Sequence, residues 1–382
     1  MPNRPPPVRT DHTNAFAHYS QSQRVPGTIR ETQALNPDYP PAIHAALEHL
    51  REQVEADAVM PMIAAPAPDY EAWAAQHAGH ANETWLHTQW FFAEVYFYRQ
   101  LIQAVRWFET GRDPFLPKKR EEFASTALWH TLDEALATRS LSPEERLSAL
   151  IEFDLWGNRI DLSYAIAASH GAKAGEDDLL ADDTVRFAEH LLRRPGVVHV
   201  ICDNCGTELA MDCALADGLI DQGHEVWLHV KMHPTFVSDT VVADVHEFWR
   251  LLATRTGEVR ALGERLQAAF DTGHLHILPD FYWNSTRFLW DMPDYLHTTF
   301  KAAALVFIKG DANYRRAVGD ALWDPTTPFS QVVNYFPAPL LALRTLKSDP
   351  VVGLPPGLAE HLDTIDTQWR VNGKRGVIQG KL

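Results

Sequence analysis

Apolar positions recur three and four apart from Pro41 to about Ala168, as in Ile43-His44-Ala45-Ala46-Leu47-Glu48-His49-Leu50, and predict a run of amphipathic helices. Between Glu83 and Phe108 aromatic residues cover more than one helical face (Trp85, Trp90, Tyr96 and Trp107 among them), which predicts a bundle core rather than a cofactor box. Ser142-Pro143-Glu144-Glu145 is a helix start: Ser caps, Pro opens the first turn, and the acids meet the positive end of the dipole. Beyond the acidic loop Gly175-Glu176-Asp177-Asp178 and an amphipathic helix from Asp183 to Arg194, the period changes. Val197-Val198-His199-Val200-Ile201-Cys202 is a short apolar, β-branched run, as expected of a strand buried on both faces. A helix from Thr207 to about Asp221 follows, then a strand from Glu225 to Val230. Further strands are predicted at His274 to Leu278, Ala303 to Ile308 and Leu340 to Leu343. Strands alternating with helices predict an α/β domain with a doubly wound, mostly parallel sheet over 181–371, behind an N-terminal helical subdomain over 14–180. The proline-rich residues 1 to about 13 are expected to form an unfixed arm, and Asn372 to Leu382 a frayed end.

Charge narrows the partners. A formal net charge of -16 over 382 residues disfavours nucleic acid and anionic membrane surfaces. No apolar run approaches the roughly 20 residues of a membrane span, and Met1-Pro2-Asn3-Arg4-Pro5-Pro6-Pro7 lacks the apolar core of a signal peptide. Three cysteines make no disulfide framework. A cytoplasmic protein is expected, with the oligomeric state left open.

In open parallel sheets ligands bind beyond the carboxyl ends of the strands. Asp203 and Asn204 follow the first predicted strand of the α/β part. Lys231, His233, Ser238 and Asp239 follow the second, and Lys309, Asp311, Asn313, Tyr314 and Arg315 follow the strand at Ala303–Ile308. Each signal alone is bland, since an Asp after a strand is commonly a helix cap. Their convergence at one sheet edge points to a site. Two carboxylates and an amide oxygen are hard donors suited to Mg²⁺ or Mn²⁺. Glu208 lies in the first turn of the following helix, and Asp212 one turn later, placed to orient a ligand from behind. Arg315 and Lys347 bring positive charge, and Arg matches phosphate with parallel hydrogen bonds. Cys202-x-x-Cys205 has redox spacing but no second pair, and His229 and His233 are expected to pack rather than bind metal. Phe281-Tyr282-Trp283 and Trp290 are expected to pack in the core.

Several blocks together resemble the damage-control phosphatase family, formerly a domain of unknown function. Asp203-Asn204-Cys205-Gly206-Thr207-Glu208-Leu209 with Asp212 resembles its Asp-Asn-x-Gly-x-Glu-Leu signature. Lys231 to Asp239 and Lys309 to Arg316 look like the second and third blocks. Arg344-Thr345-Leu346-Lys347 resembles the Arg-Thr-x-Lys motif of the subfamily that includes the acidic-residue methyltransferase homologue. Leu155 to Ser163 is similar to that subfamily's helical block, and the likeness runs from about Arg24 to Lys347. The resemblance implies a three-layer α/β/α core, a bound Mn²⁺, Ni²⁺, Co²⁺ or Mg²⁺, and small phosphorylated metabolites as substrates, with fructose 1-phosphate and related sugar phosphates prominent. It implies Asp203, Asn204 and Asp239 as metal ligands, and Asp203, Asn204, Glu208, Asp311, Ala312, Asn313, Tyr314, Arg315 and Lys347 as substrate contacts. Ala312 stands where Leu is usual.

The expected chemistry is metal-assisted hydrolysis in which Asp203, Asp239 and Asp311 carry the catalysis, Asp239 or Asp311 taking a proton from the attacking water. Two other readings compete. A protein carboxyl methyltransferase would need a glycine-rich loop for S-adenosylmethionine, and Gly206 stands alone. A non-catalytic metal- or sugar-phosphate-binding protein would bind without turnover.

Overall fold

The computed structural model describes residues 4–157 and 178–382. Asn158, Arg159 and Asp161, from the block similar to the subfamily's helical region, lie outside the described residues. The fold is α/β, and its described strands form one seven-stranded sheet. They are β1 (Leu179–Asp182), β2 (Val197–Ile201), β3 (Glu225–Lys231), β4 (Leu275–Asp280), β5 (Leu305–Lys309), β6 (Leu340–Thr345) and β7 (Gly376–Lys381). Their order across the sheet is β1-β7-β6-β5-β2-β3-β4. Strands β6, β5, β2, β3 and β4 pair in parallel, β7 runs antiparallel to β6, and β1 is parallel to β7. Every residue of β5 and β6 is buried, the reason Leu305–Ile308 and Leu340–Leu343 read as unbroken apolar runs.

From β2 the chain moves outward through β3 to β4, then returns to the other side of β2 for β5 and β6. The sheet therefore reverses its winding between β2 and β5, where such sheets open a crevice. Register levels the carboxyl ends there: Ile201 pairs with His229 on one side and Ile308 on the other.

The helical half has two kinds of packing. Helices Pro41–Glu55 and Trp90–Ala104 enclose a core of their own around Leu47, Trp85 and Tyr96. Helices Thr126–Ala137 and Pro143–Trp156 instead share the main core with β2 and the helix Thr207–Asp221. Ser142 caps its helix as expected, its hydroxyl accepting from Glu145 N–H in a reciprocal capping box.

Both predicted loose ends are corrected. The N-terminal segment is pinned: Val8 N–H donates to Asp320 O at 2.7 Å and Val8 O accepts from Trp90 N–H at 2.9 Å. Extended, proline-bearing chain shows no helical period, yet it pairs as a strand edge does. The C-terminal segment is β7, inserted between β1 and β6. A further helix runs without interruption from Ala15 to Leu35, with a π turn at Ser20–Arg24. No helix among the described residues is long and apolar enough to cross a membrane.

Candidate active site

Two loops are stitched together above β2 and β3. Thr240 N–H donates to Asp203 O at 2.8 Å, Cys205 N–H to Ser238 O at 2.7 Å, and Asn204 and Asp239 form an antiparallel bridge. Asp203, Asn204 and Asp239 are thereby brought into one place. The second loop pays for this position in backbone strain: Phe236 (φ 47°) and Val237 (φ 70°) are both left-handed, a conformation costing of order 1–3 kcal/mol for a non-glycine residue. From the other side comes Gly310, at the start of the helix Gly310–Val318, with φ 76°. A Cβ there would collide with Asp203 Oδ2, so glycine alone allows the two loops to meet.

Asn204 is held at both ends. Its Nδ2 donates to Asp203 Oδ2 at 2.9 Å and Glu208 Oε2 at 3.0 Å, while its Oδ1 accepts from Ser238 Oγ at 2.6 Å. Asp239 Oδ2 is buried and accepts no hydrogen bond, although Lys231 Nζ stands 3.3 Å away, near enough for charge pairing but not aligned to donate. Burial, followed by repulsion from Asp239 and Glu208, pushes the Asp203 carboxyl well above the usual range. Burial likewise pushes Asp239 up to about 6, against the pull of Lys231.

Behind these groups lies Lys309, 1% exposed at its side chain, with Nζ 2.7 Å from Asp154, 2.9 Å from Asp212 and 3.5 Å from Glu208. Glu208 thus uses one oxygen on Lys309 and the other on Asn204. It props the site and does not line the pocket. Asp212 acts from behind, as its helical spacing suggests. Asp154, from helix Pro143–Trp156, is an unexpected member, and the one sign of it in the sequence is a carboxylate on a helix's buried face.

The pocket, about 240 Å³, is lined on the sheet side by Asp203, Asn204, Ser238, Asp239, Asp311, Ala312, Arg315 and Lys347. Arg24, Trp90, Glu94 and Phe236 complete it from the other wall. Asp311 Oδ1 accepts from Arg344 Nε at 2.8 Å, Lys347 N–H at 3.1 Å and Ser348 Oγ at 2.9 Å. Burial raises this carboxyl, but Arg344 and Arg315 outweigh it and hold it below the ordinary value.

Besides Glu208, two further expected contacts are elsewhere. Tyr314 is fully buried in the core, its hydroxyl between Gln379 and Val352 N–H, and Asn313 Nδ2 bonds the main-chain oxygens of Cys202 and Lys309. Arg315 reaches the pocket but is engaged: Nε and Nη2 meet Asp320 at 2.7 and 3.2 Å, Nη1 meets Glu94 at 2.6 Å, and the guanidinium stacks on Trp90 at 3.7 Å. His229 bonds His199 at 2.9 Å, His233 packs against Asn284, and Cys202, Cys205 and Cys213 are free and buried. Tyr282 and Trp283 join the second core cluster, as anticipated, whereas Phe281 and Trp290 are half-buried and outside it.

The four residues of the outer wall went unassigned in the sequence. Only Glu94 carried a signal, as the sole carboxylate of the helix Trp90–Ala104, most of which is buried. Among the described residues no three His, Cys, Asp or Glu side chains form a metal-binding group, so the candidate donor set is two carboxylates and an amide. Its chemistry fits a hard divalent cation: all donors are oxygen, and one buried carboxylate oxygen lacks a hydrogen bond.

Fold and site together define a doubly wound α/β protein with an acidic, oxygen-rich crevice at its switch point. The chain belongs to the damage-control phosphatase ARMT1-like family, whose domain matches residues 23–362. Damage-control phosphatase ARMT1 of Danio rerio is 30% identical over 421 aligned residues, spanning 97% of this chain and 90% of that protein. The protein of the same name from Xenopus tropicalis is 31% identical, over 78% of this chain and 75% of its own length. The human one is 29% identical, over 77% and 75%. A crystal structure of a DUF89 family protein from Pyrococcus horikoshii shares the fold, with a TM-score of 0.51 at 15% identity over 94% of this chain and 97% of that one. Family membership gives the coarse activity, that of a phosphatase.

Proposed function

We propose that this phosphatase is metal-dependent and hydrolyses small phosphate monoesters, sugar phosphates such as fructose 1-phosphate foremost. The observation that carries the reading is the meeting of Asp203, Asn204 and Asp239 through two hydrogen-bonded loops, with the unbonded Asp239 Oδ2 among them. These three residues would hold the ion, Mn²⁺ in first place and Ni²⁺, Co²⁺ or Mg²⁺ as alternatives. When bound, such an ion polarises a phosphoryl oxygen and lowers the pKa of a water.

The chain's own groups do the rest. Lys347, at the pocket wall, draws phosphate oxygens and offsets charge as the ester bond breaks. Ala312 lies in the first turn of the helix Gly310–Val318, whose positive end favours an anion. Asp311, kept ionised by Arg344, accepts a hydrogen bond from the attacking water and orients it. Ser238 and Glu208 fix the Asn204 amide so that its oxygen keeps one direction. Trp90 and Phe236 limit water at the mouth. A pocket of about 240 Å³ suits a small ester rather than a large one.

The deciding experiment screens phosphorylated metabolites against the manganese-loaded protein, with Asp239→Asn as control. Release of phosphate only in the presence of metal, lost in Asp239→Asn by about a hundredfold or more, is the expected result. Metal-independent turnover, or tight binding without phosphate release, would overturn the proposal.

A further inference from the structure

Three cations line the pocket: Arg24, Arg315 and Lys347. Arg315 is already neutralised by Glu94 and Asp320, is 2% exposed, and is stacked on Trp90. It supports the wall and has little charge left for a ligand. Arg24 differs: it is exposed and has no carboxylate at ion-pair distance among the described residues. Yet four carboxylates, Glu94, Asp203, Asp239 and Asp311, line the same pocket. In such a pocket a cation without an internal partner attracts a phosphate dianion more strongly than one already paired, and adds to what a bound ion and Lys347 supply.

The placement of Arg24 has a local cause. Pro26 sits inside the helix that runs from Ala15 to Leu35, where its ring would clash with the carbonyl four residues back and leave that carbonyl without a donor. The helix widens instead: Val25 N–H bonds Ser20 O, five residues back, and Arg24 closes this π turn. Such turns re-aim side chains and are frequent at functional sites. Here Val25 and Ile29 face the helical core while Arg24 faces the pocket.

We propose that Arg24 binds the phosphate group of the substrate, taking the role that strand-end placement and the family resemblance suggest for Arg315. The proposal rests on the phosphatase reading above. Its guanidinium presents two parallel N–H groups to phosphate oxygens, a match that an ammonium lacks.

The test compares the manganese-loaded wild-type chain with Arg24→Gln and Arg24→Lys, using p-nitrophenyl phosphate as substrate and inorganic phosphate as competitive inhibitor. Arg24→Gln should raise both KM and the inhibition constant of phosphate by about tenfold or more, with a smaller change in kcat. Arg24→Lys should recover part of the loss, and the unfolding temperature should not move, since the residue is exposed. Unchanged KM and phosphate inhibition would overturn the assignment. So would a raised KM with unchanged phosphate inhibition, which would place Arg24 against the alcohol portion instead. A wild-type chain that turns over no ester would sink the phosphatase reading; calorimetric titration of wild type and Arg24→Gln with inorganic phosphate then decides Arg24 on its own.

Discussion

Lys119 Nζ lies 3.0 Å from the main-chain oxygen of Asp239, while its charge is shared between Asp113 at 2.9 Å and Asp244 at 2.7 Å. Burial works against this ammonium, but the two aspartates keep it charged. A fully buried lysine from the helix Leu116–Ala124 thus fixes the backbone of a site residue. Lys119→Met would leave Asp113 and Asp244 facing each other without a cation. Loss of one partner of a buried ion pair costs about 3–5 kcal/mol, so urea unfolding should shift by that order, with phosphatase turnover falling as the Asp239 loop loosens. An unfolding midpoint equal to that of wild type would show that the pair adds nothing.

Gly310 is the point of closest approach between the β5 turn and Asp203. Gly310→Ala adds a methyl group where Asp203 Oδ2 stands, on a backbone with φ 76°. The carboxylate must move, and a displacement of about 1 Å can cost 10²-fold in rate. Steady-state turnover should drop on that scale while circular dichroism stays that of a folded protein. Activity within twofold or so of wild type would contradict the tight contact.

Arg315 and Arg24 should separate cleanly. Arg315→Gln leaves Asp320, buried at 0% exposure, without its guanidinium and breaks the tie to Glu94 on the helix Trp90–Ala104. The expected loss is in stability, about 3–5 kcal/mol, with KM moved less than by Arg24→Gln. The reverse order, an unchanged unfolding curve and a large rise in KM, would return the phosphate-binding role to Arg315.

A buried histidine pair links stability to pH. His199 and His229, on β2 and β3, hydrogen-bond at 2.9 Å, and burial pulls His199 down to about 4 and His229 well below its ordinary value. Above about pH 7.5, a unit over the ordinary histidine value, both rings are neutral, folded or unfolded, and their contribution is complete. As pH falls through about 6.5 toward 4, the unfolded chain binds the extra protons first, so stability declines by up to about 1.4 kcal/mol per pH unit for each ring. Urea midpoints at pH 7.5 and 5 should differ in that direction, and His199→Asn should flatten the slope. An equal slope in the variant would assign the pH dependence to other groups.

How far the sequence reveals this molecule depends on the range of the forces involved. Val197–Ile201 and Leu305–Lys309 are legible because β-branched, apolar runs declare a strand buried on both faces. Gly376–Lys381 is not, because two of its six residues are glycines. Those glycines are needed: a side chain at Gly380 would strike the ring of Phe187, and one at Gly376 would crowd Trp156. Close packing here lowers the very apolarity by which a strand is recognised. In the site, Asp203, Asn204 and Asp239 are legible because topology sends strand ends to one edge. Arg24, Trp90 and Glu94 reach it only through contacts distant in sequence. Arg315 looks like an available charge until its partners are seen in space, one of them Glu94, on a helix packed against the opposite wall.

The position of β7 also sets a timetable for synthesis. A nascent chain that has already made β1 and β6 still lacks the strand that belongs between them, and both edges wait with unpaired backbone groups until Gly376 to Lys381 emerge from the ribosome. Folding of the sheet is therefore completed late, and a polypeptide halted before that strand would be a natural client for chaperones and proteases.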